Sequence, residues 1–165
     1  MVIFLYGADT FRSRRFRQEL QEKFQRDVDP TAVSLAVIDG QTATVNDLAE
    51  KLGAGSLFVK KRLIVIENVF ANKKDKIFGE LGEYLGKLSE GQDDDNVIIF
   101  HDGDLGSKEK PLKAAQKKLF SFLAKQKFAQ EFKTLTGPQL LSFIKKEASS
   151  YNNGVAAAAA AELAA

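Results

Sequence analysis

Short apolar runs alternate with amphipathic stretches along this chain. That alternation constrains the fold more than any other feature, because it marks βαβ units wrapped around a mostly parallel sheet. Val2 to Tyr6 is an unbroken apolar run ending at Gly7, as expected of a strand covered on both faces. A helix follows, with Phe16, Leu20 and Phe24 every four residues, Glu19–Lys23 and Glu22–Arg26 as i,i+4 pairs, and Asp29-Pro30 as its stop. Val33 to Ile38 reads as the second strand, and Thr44 with Asp47 as a capping box for a helix that lines up Val45, Leu48, Ala49 and Leu52. After Gly53 and Gly55 comes the strand Leu63 to Ile66, then a helix from about Lys74 to Leu88 with Ile77, Leu81, Tyr84, Leu85 and Leu88 on one stripe. The acidic loop Gly91 to Asp95 leads into the strand Val97 to Phe100.

Pro111 suits the first turn of a helix whose buried stripe is Leu112, Ala115, Leu119, Phe122 and Leu123. Phe128 to Phe132 reads as a fifth strand at an edge of the sheet. Thr136, Pro138 and Gln139 are spaced as an N-cap, an early-turn proline and a capping glutamine, opening a helix with Leu140, Leu141 and Ile144 inward that ends near Tyr151. From Val155 the chain becomes VAAAAAAELAA, rich in helix propensity but poor in side-chain volume, and reads as a helix in need of a neighbour. The expected organisation is a domain over residues 1–150 and the incomplete start of a helical domain over 151–165.

The chain has 165 residues, no Cys and a single histidine, His101, which excludes disulfide scaffolds, thiolate zinc sites, iron–sulfur clusters and Cys nucleophiles. No G-x-S-x-G elbow occurs, so hydrolase chemistry is set aside. Residues 1–103 carry 14 basic and 17 acidic side chains, and residues 104–165 carry 10 and 5, so the second part is the one able to face an anion. MVIFLYG is too short to span a membrane and lacks a basic leader, so no membrane contact and a cytoplasmic location are expected.

A strand, a Gly and a helix N-terminus are where a phosphate loop belongs. Laying G-x-x-x-x-G-K-[ST] on Gly7 puts Arg12, Ser13 and Arg14 at the last three defining positions, and all three fail. Gly7, Asp9 and Thr10 therefore belong to a degenerate loop, and no cofactor or metal is expected. Glu67 reads as a partnered strand-end carboxylate rather than a magnesium ligand, and His101, Asp102 and Asp104 as a polar turn at the carboxyl edge. Arg12, Arg14, Arg15 and Arg17 mostly point to water in this reading. In Gly55-Ser-Leu-Phe58, two large adjacent apolar residues stand in a short connection and cannot both face inward on one stripe. Either the pair is a staple on the domain's own core, or it fills a partner's hydrophobic pocket.

FLYGADTF at 4–11, GSLFVKKRLIVIEN at 55–68 and NVIIFHDGD at 96–104 followed by a Lys-rich helix together resemble the N-terminal part of the delta subunit of bacterial DNA polymerase III, a clamp-loader subunit. The similarity covers about residues 2–150, and SLFVKKRL is its most specific part. The resemblance implies an AAA+/P-loop-like three-layer α/β sandwich with a mostly parallel five-stranded sheet, followed by the start of a helical lid. It implies a non-catalytic subunit of the polymerase holoenzyme, without ATPase residues, that binds the sliding clamp and helps open it during DNA replication. Position for position, Leu57 and Phe58 would enter a hydrophobic pocket of the clamp and Ser56 would open their turn, while Gly55 stands where some members have a larger apolar residue.

Binding of this kind favours a sprung ring over a closed one and so shifts the ring toward opening. Partners would be the clamp (beta subunit), the other loader subunits if a full-length chain exists and, indirectly, DNA; the family's C-terminal collar is not expected within these residues. Two other classes stay open at this stage. One is a nucleotide-binding protein with a degenerate phosphate loop. The other is a basic nucleic-acid-binding module using Lys60, Lys61, Arg62, Lys110, Lys113 and Lys117, whose affinity would fall steeply with salt.

Overall fold

A computed structural model describes residues 1–53, 61–89, 96–106 and 111–151, together with 159, 160 and 162. Five strands, β1 (Val2–Tyr6), β2 (Leu35–Asp39), β3 (Leu63–Glu67), β4 (Val97–His101) and β5 (Phe128–Glu131), alternate with α1 (Thr10–Asp27), α2 (Val45–Gly53), α3 (Lys76–Ser89) and α4 (Ala114–Ala124). A further helix, α5 (Gly137–Ser150), follows β5. The sheet order is β2-β3-β4-β1-β5 and every pairing is parallel, so the sheet is wholly rather than mostly parallel.

Hydrophobicity explains which strands lie where. LIVIE and VIIFH occupy central positions and bury nearly every side chain, whereas LAVID and FAQE form the two edges, where Val37 and Phe128 stay exposed. The connection after β1 runs toward β2 and the one after β4 runs past β1 to β5, so right-handed crossovers put α1 and α4 on opposite faces. Packing agrees. Phe16, Leu20 and Phe24 of α1 lie on Ile3, Leu5, Leu63, Val65, Ile99 and Phe132. On the other face Phe4, Ile64, Ile66, Ile98 and Phe100 meet the apolar stripes of α2, α3 and α4. Each fully buried side chain of this size contributes roughly 1.5–3 kcal/mol. The result is the three-layer sandwich expected of an AAA+-like fold.

Several boundaries differ from the sequence reading, each for a local reason. β2 starts at Leu35 rather than Val33, because the Asp29 carboxylate accepts from the backbone N–H and hydroxyl of Ser34 at 2.7 and 2.6 Å and from the Thr31 hydroxyl at 2.7 Å. These bonds close a turn through Ala32, whose φ of 56° is left-handed, and leave Val33 76% exposed. The expected capping box on α2 is present: Thr44 N–H donates to Asp47 at 2.7 Å and Asp47 N–H to the Thr44 hydroxyl at 3.2 Å.

A 3-10 turn, Val69–Ala71, that periodicity did not reveal precedes α3, which runs over Lys76–Ser89 rather than from about Lys74. α4 starts at Ala114, beyond Pro111 and Leu112, because Gln116 Oε1 accepts the Lys113 N–H at 2.8 Å and fixes Lys113 as the N-cap. The acidic loop 91–95 and Lys110 lie outside the described residues.

The chain divides into two compact units, Met1–Phe132 and Lys133–Ala165. α5, which the sequence reading groups with the first domain, falls in the second unit. Thr136 is its N-cap with Pro138 in the first turn, but the Thr136 side chain makes no capping bond. Leu140, Leu141 and Ile144 are half-buried, and no residue of α5 is fully buried. No helix among the described residues is long and apolar enough to cross a membrane.

Candidate functional site

β1 and β4 are adjacent strands whose following helices cover opposite faces, so the crevice at their carboxyl ends is the topological switch point of the sheet. Gly7 begins the loop there. Its φ is +128°, and a Cβ would stand 2.4 Å from the Phe132 carbonyl oxygen, so only glycine fits. Three of the loop's N–H groups are used internally: Gly7 N–H donates to Gly103 O at 2.9 Å, Asp9 N–H to Phe132 O at 2.9 Å, and Thr10 N–H to Ala8 O at 3.0 Å. Asp9 is the N-cap of α1. Its carboxylate accepts from Arg12 N–H at 3.0 Å and from Arg12 Nε at 2.7 Å. Burial raises the Asp9 pKa, but the hydrogen bonds and charge of Arg12 outweigh it and hold the group below the usual carboxylate range. The helix end where a phosphate would sit thus carries the protein's own anion.

One turn further along α1, Ser13 is completely buried and its hydroxyl lies 3.1 Å from His101 Nε2. His101 Nδ1 is 3.6 Å from Glu67 Oε1, and Arg17 Nε is 3.3 Å from the same oxygen. The register that pairs Leu5 and Glu67 with His101 brings these residues together. The order Ser–His–Glu is that of a hydrolytic triad, but Ser13 exposes no surface from which a substrate could reach its oxygen. The array can hold and exchange a proton and it can orient α1. Glu67 is the partnered strand-end carboxylate expected.

The polar-turn reading holds for Asp104, which is exposed, and fails for His101 and Asp102, which are 7% and 2% exposed. These two neighbours go to opposite layers. The Asp102 carboxylate accepts Phe70 N–H at 3.1 Å, its other oxygen has no hydrogen-bond partner among the described residues, and burial pushes its pKa up to about 8. Around the same 3-10 turn, Gln116 Nε2 donates to Phe70 O at 2.8 Å, and Asn72 Nδ2 donates to Gly40 O and Ala43 O at 2.7 and 3.0 Å. Sequence reading missed this hub. No local pattern marks it, since Asn72 and Gln116 each run straight into lysines in the sequence.

Of the arginines expected to face water, Arg12 is tied to Asp9 and Arg17 to Glu67, whereas Arg15 pairs at the surface with Glu19 at 3.5 Å. Ser56, Leu57, Phe58 and Lys60 lie outside the described residues. Lys61 is exposed beside a groove of about 280 Å³ at the amino edge of the sheet, and Arg62 just precedes β3 at that edge. Lys113 and Lys117 are exposed on α4, with Lys113 3.7 Å from Asp75. The described basic candidates therefore stand at two ends of the first unit, apart from one another.

The model of the family described as DNA polymerase III, delta subunit, matches residues 4–133. The chain belongs to this family. The delta family is a non-catalytic component of the clamp loader and acts in DNA replication. No curated protein matches the chain. Among solved structures, it is similar to the DNA clamp loader delta protein of Bacillus subtilis at 20% identity and a TM-score of 0.58, over 98% of this chain and 47% of that one. A DNA polymerase III gamma subunit-related protein of Thermotoga maritima aligns at 12% identity and a TM-score of 0.52, over 88% of this chain and 45% of the other. Domain III of the Thermotoga maritima replication initiation protein DnaA aligns at 16% identity and 0.51, over 94% and 64%. The delta-family chain thus shares a fold with these proteins and spans about half the length of the first two.

Proposed function

We propose that this delta-family chain is a clamp-binding element: Leu57 and Phe58, in a turn opened by Ser56, enter a hydrophobic pocket on the sliding clamp and favour its open form. The observation that carries the reading is the family match over residues 4–133, within which the segment SLFVKKRL lies. A partner pocket gives two adjacent large apolar side chains the burial that one helix stripe cannot give both. Preference for the sprung ring over the closed one moves the ring toward opening with no bond made or broken. In this reading the clamp is the direct partner, the other loader subunits are partners of a full-length chain, DNA is engaged indirectly, and the work is done in the cytoplasm.

The same reading assigns no ATPase role to the Gly7–Thr10 loop. The Gly7, Asp9 and Thr10 N–H groups bond to Gly103, Phe132 and Ala8, and Asp9 repels a phosphate from the start of α1. The separation of Lys61 and Arg62 from Lys113 and Lys117 speaks against one continuous nucleic-acid track among the described residues.

Binding of the purified chain to its cognate sliding clamp, wild type beside Phe58→Ala with thermal melting of both, is the test. Loss of binding of at least tenfold with an unchanged Tm is expected. A Tm lowered by a cost of roughly 2–5 kcal/mol, as for a large-to-alanine core change, would make the pair an internal staple and refute the reading.

A further inference from the structure

Between the amino ends of β1, β3 and β4 and the last turns of α1, the first unit leaves a groove of about 280 Å³. Its floor is Ile3, Leu63, Val97 and Ile99 from the sheet, and Leu20 and Phe24 of α1 form one wall. The exposed side chains of Met1 and Val28 carry the apolar surface out to its rim. An opening smaller than the roughly 300–1,000 Å³ typical of small-molecule sites suits one or two protruding side chains rather than a whole ligand.

Lys23, Asp27 and Lys61 supply the charge at this rim. Asp27 pairs with Arg26 at 3.1 Å, whereas neither lysine has an ion-pair partner among the described residues. Two cations beside an apolar hollow select an occupant that combines an apolar side chain with carboxylates. Chain length ties the groove to the segment already assigned to the clamp. Phe58 precedes Lys61 by three residues, which limits their Cα separation to roughly 10 Å whatever path the chain takes. A partner that holds Phe58 therefore stands beside the Lys61 wall.

We propose that the groove is a second docking point for the sliding clamp, taking an apolar side chain from a clamp segment whose flanking carboxylates meet Lys23 and Lys61. This rests on the reading that Leu57 and Phe58 bind the clamp. A single plug lets a bound ring swivel about it. A plug given at Phe58 and one received in the groove fix the ring's orientation, and the second contact forms at the high effective concentration set by the first. Orientation is what a subunit needs in order to favour a sprung ring over a closed one, because strain is transmitted only through contacts that cannot pivot.

Binding of this chain to its cognate clamp is measured for wild type, for Lys23→Gln with Lys61→Gln, and for Phe58→Ala, at about 0.05 and 0.3 M salt, with thermal melting of each. Both lysines are exposed, so the double variant should keep its Tm, bind roughly tenfold more weakly at low salt and depend less on salt. A double variant that binds like wild type, beside a Phe58→Ala that does not bind, overturns the groove and leaves the Leu57–Phe58 reading standing. A wild type that fails to bind overturns both. The occupant is then identified by placing the photo-reactive p-benzoylphenylalanine at Val28 and irradiating with clamp. The expected product is a clamp peptide with an apolar residue beside Asp or Glu. A clamp peptide without acidic residues, no cross-link to the clamp, or a cross-link to this chain's own residues 54–60 or 91–95 or to a second copy that clamp does not displace, would each overturn the proposal.

Discussion

Replacing Asp102 by Asn should stabilise the protein at neutral and alkaline pH and slightly destabilise it in acid. The carboxyl is 2% exposed, and its pKa stands at about 8 against an ordinary 3.8. Between those values the native state keeps a proton that the unfolded chain has released, so stability falls as pH rises. At about 1.4 kcal/mol per pH unit, the accumulated cost is roughly 4 kcal/mol at pH 7 and levels off near roughly 6 kcal/mol above pH 8. Asn has no such charge to suppress, and its Oδ1 can take over the bond from Phe70 N–H.

The amide also has a cost. It puts two N–H donors where the second carboxyl oxygen has no partner, against one O–H in the acid, which costs about 1 kcal/mol or more. The two proteins should therefore have equal stability near pH 5, the variant gaining steadily above it. Urea denaturation of both at half-unit steps from pH 4.5 to 8.5, with the m-value held as a check on two-state unfolding, reads the difference directly. A difference that does not change with pH, or a variant less stable than wild type at pH 8, would refute the claim that Asp102 is held neutral by burial.

Gly7→Ala should destabilise by roughly 3 kcal/mol or more, since a Cβ meets the Phe132 backbone at a φ of +128°; thermal melting checks it, and an unchanged Tm would mean the loop is free to move. Asn72→Ala removes both donors to Gly40 O and Ala43 O from a buried position and should cost about 2–3 kcal/mol by urea denaturation. Hydrogen bonds from the Ser34 hydroxyl and N–H and from Thr31 hold Asp29 down at about 2. Its contribution is present above pH 4 and is lost as pH falls toward 2, so Asp29→Asn should flatten the acid limb of the stability curve in that window and leave its alkaline limb alone.

The layers of the first unit were legible because each central strand is apolar on both faces and each helix carries a single stripe; LIVIE at 63–67 admits no other place than the middle of a parallel sheet. What periodicity carries no sign of is a segment shaped by polar side chains reaching far along the chain. Val33 looks like a strand residue, and only the Asp29 carboxylate closing on Ser34 takes it out of β2. The 3-10 turn at Val69–Ala71 owes its position to Asp102 and Gln116, 32 and 46 residues away from Phe70, and no local pattern encodes such distances. The Gly7 loop was legible in the negative, from residues that fail a phosphate cradle. Its positive content, Asp9 capping its own helix, came from the fold.

His101 and Asp102 show why a dipeptide can read as a turn and act as a joint. Successive side chains at a strand end point to opposite faces, so one reaches α1 and the other the 3-10 turn across the sheet. Their titrations then oppose each other. Burial lowers the His101 pKa, so below pH 6.5 the unfolded chain takes up the histidine proton more readily than the native state, while the native state keeps a proton at Asp102 that the unfolded chain has released. The two slopes have opposite signs, so the histidine offsets part of the Asp102 decline below pH 6.5. Above pH 6.5 only the Asp102 slope remains, and stability declines until it levels off beyond pH 8. Asp102→Asn removes the declining slope and uncovers the histidine, so below pH 6.5 the variant's stability should rise with pH relative to wild type, a change of slope that no uniform gain or loss in packing produces.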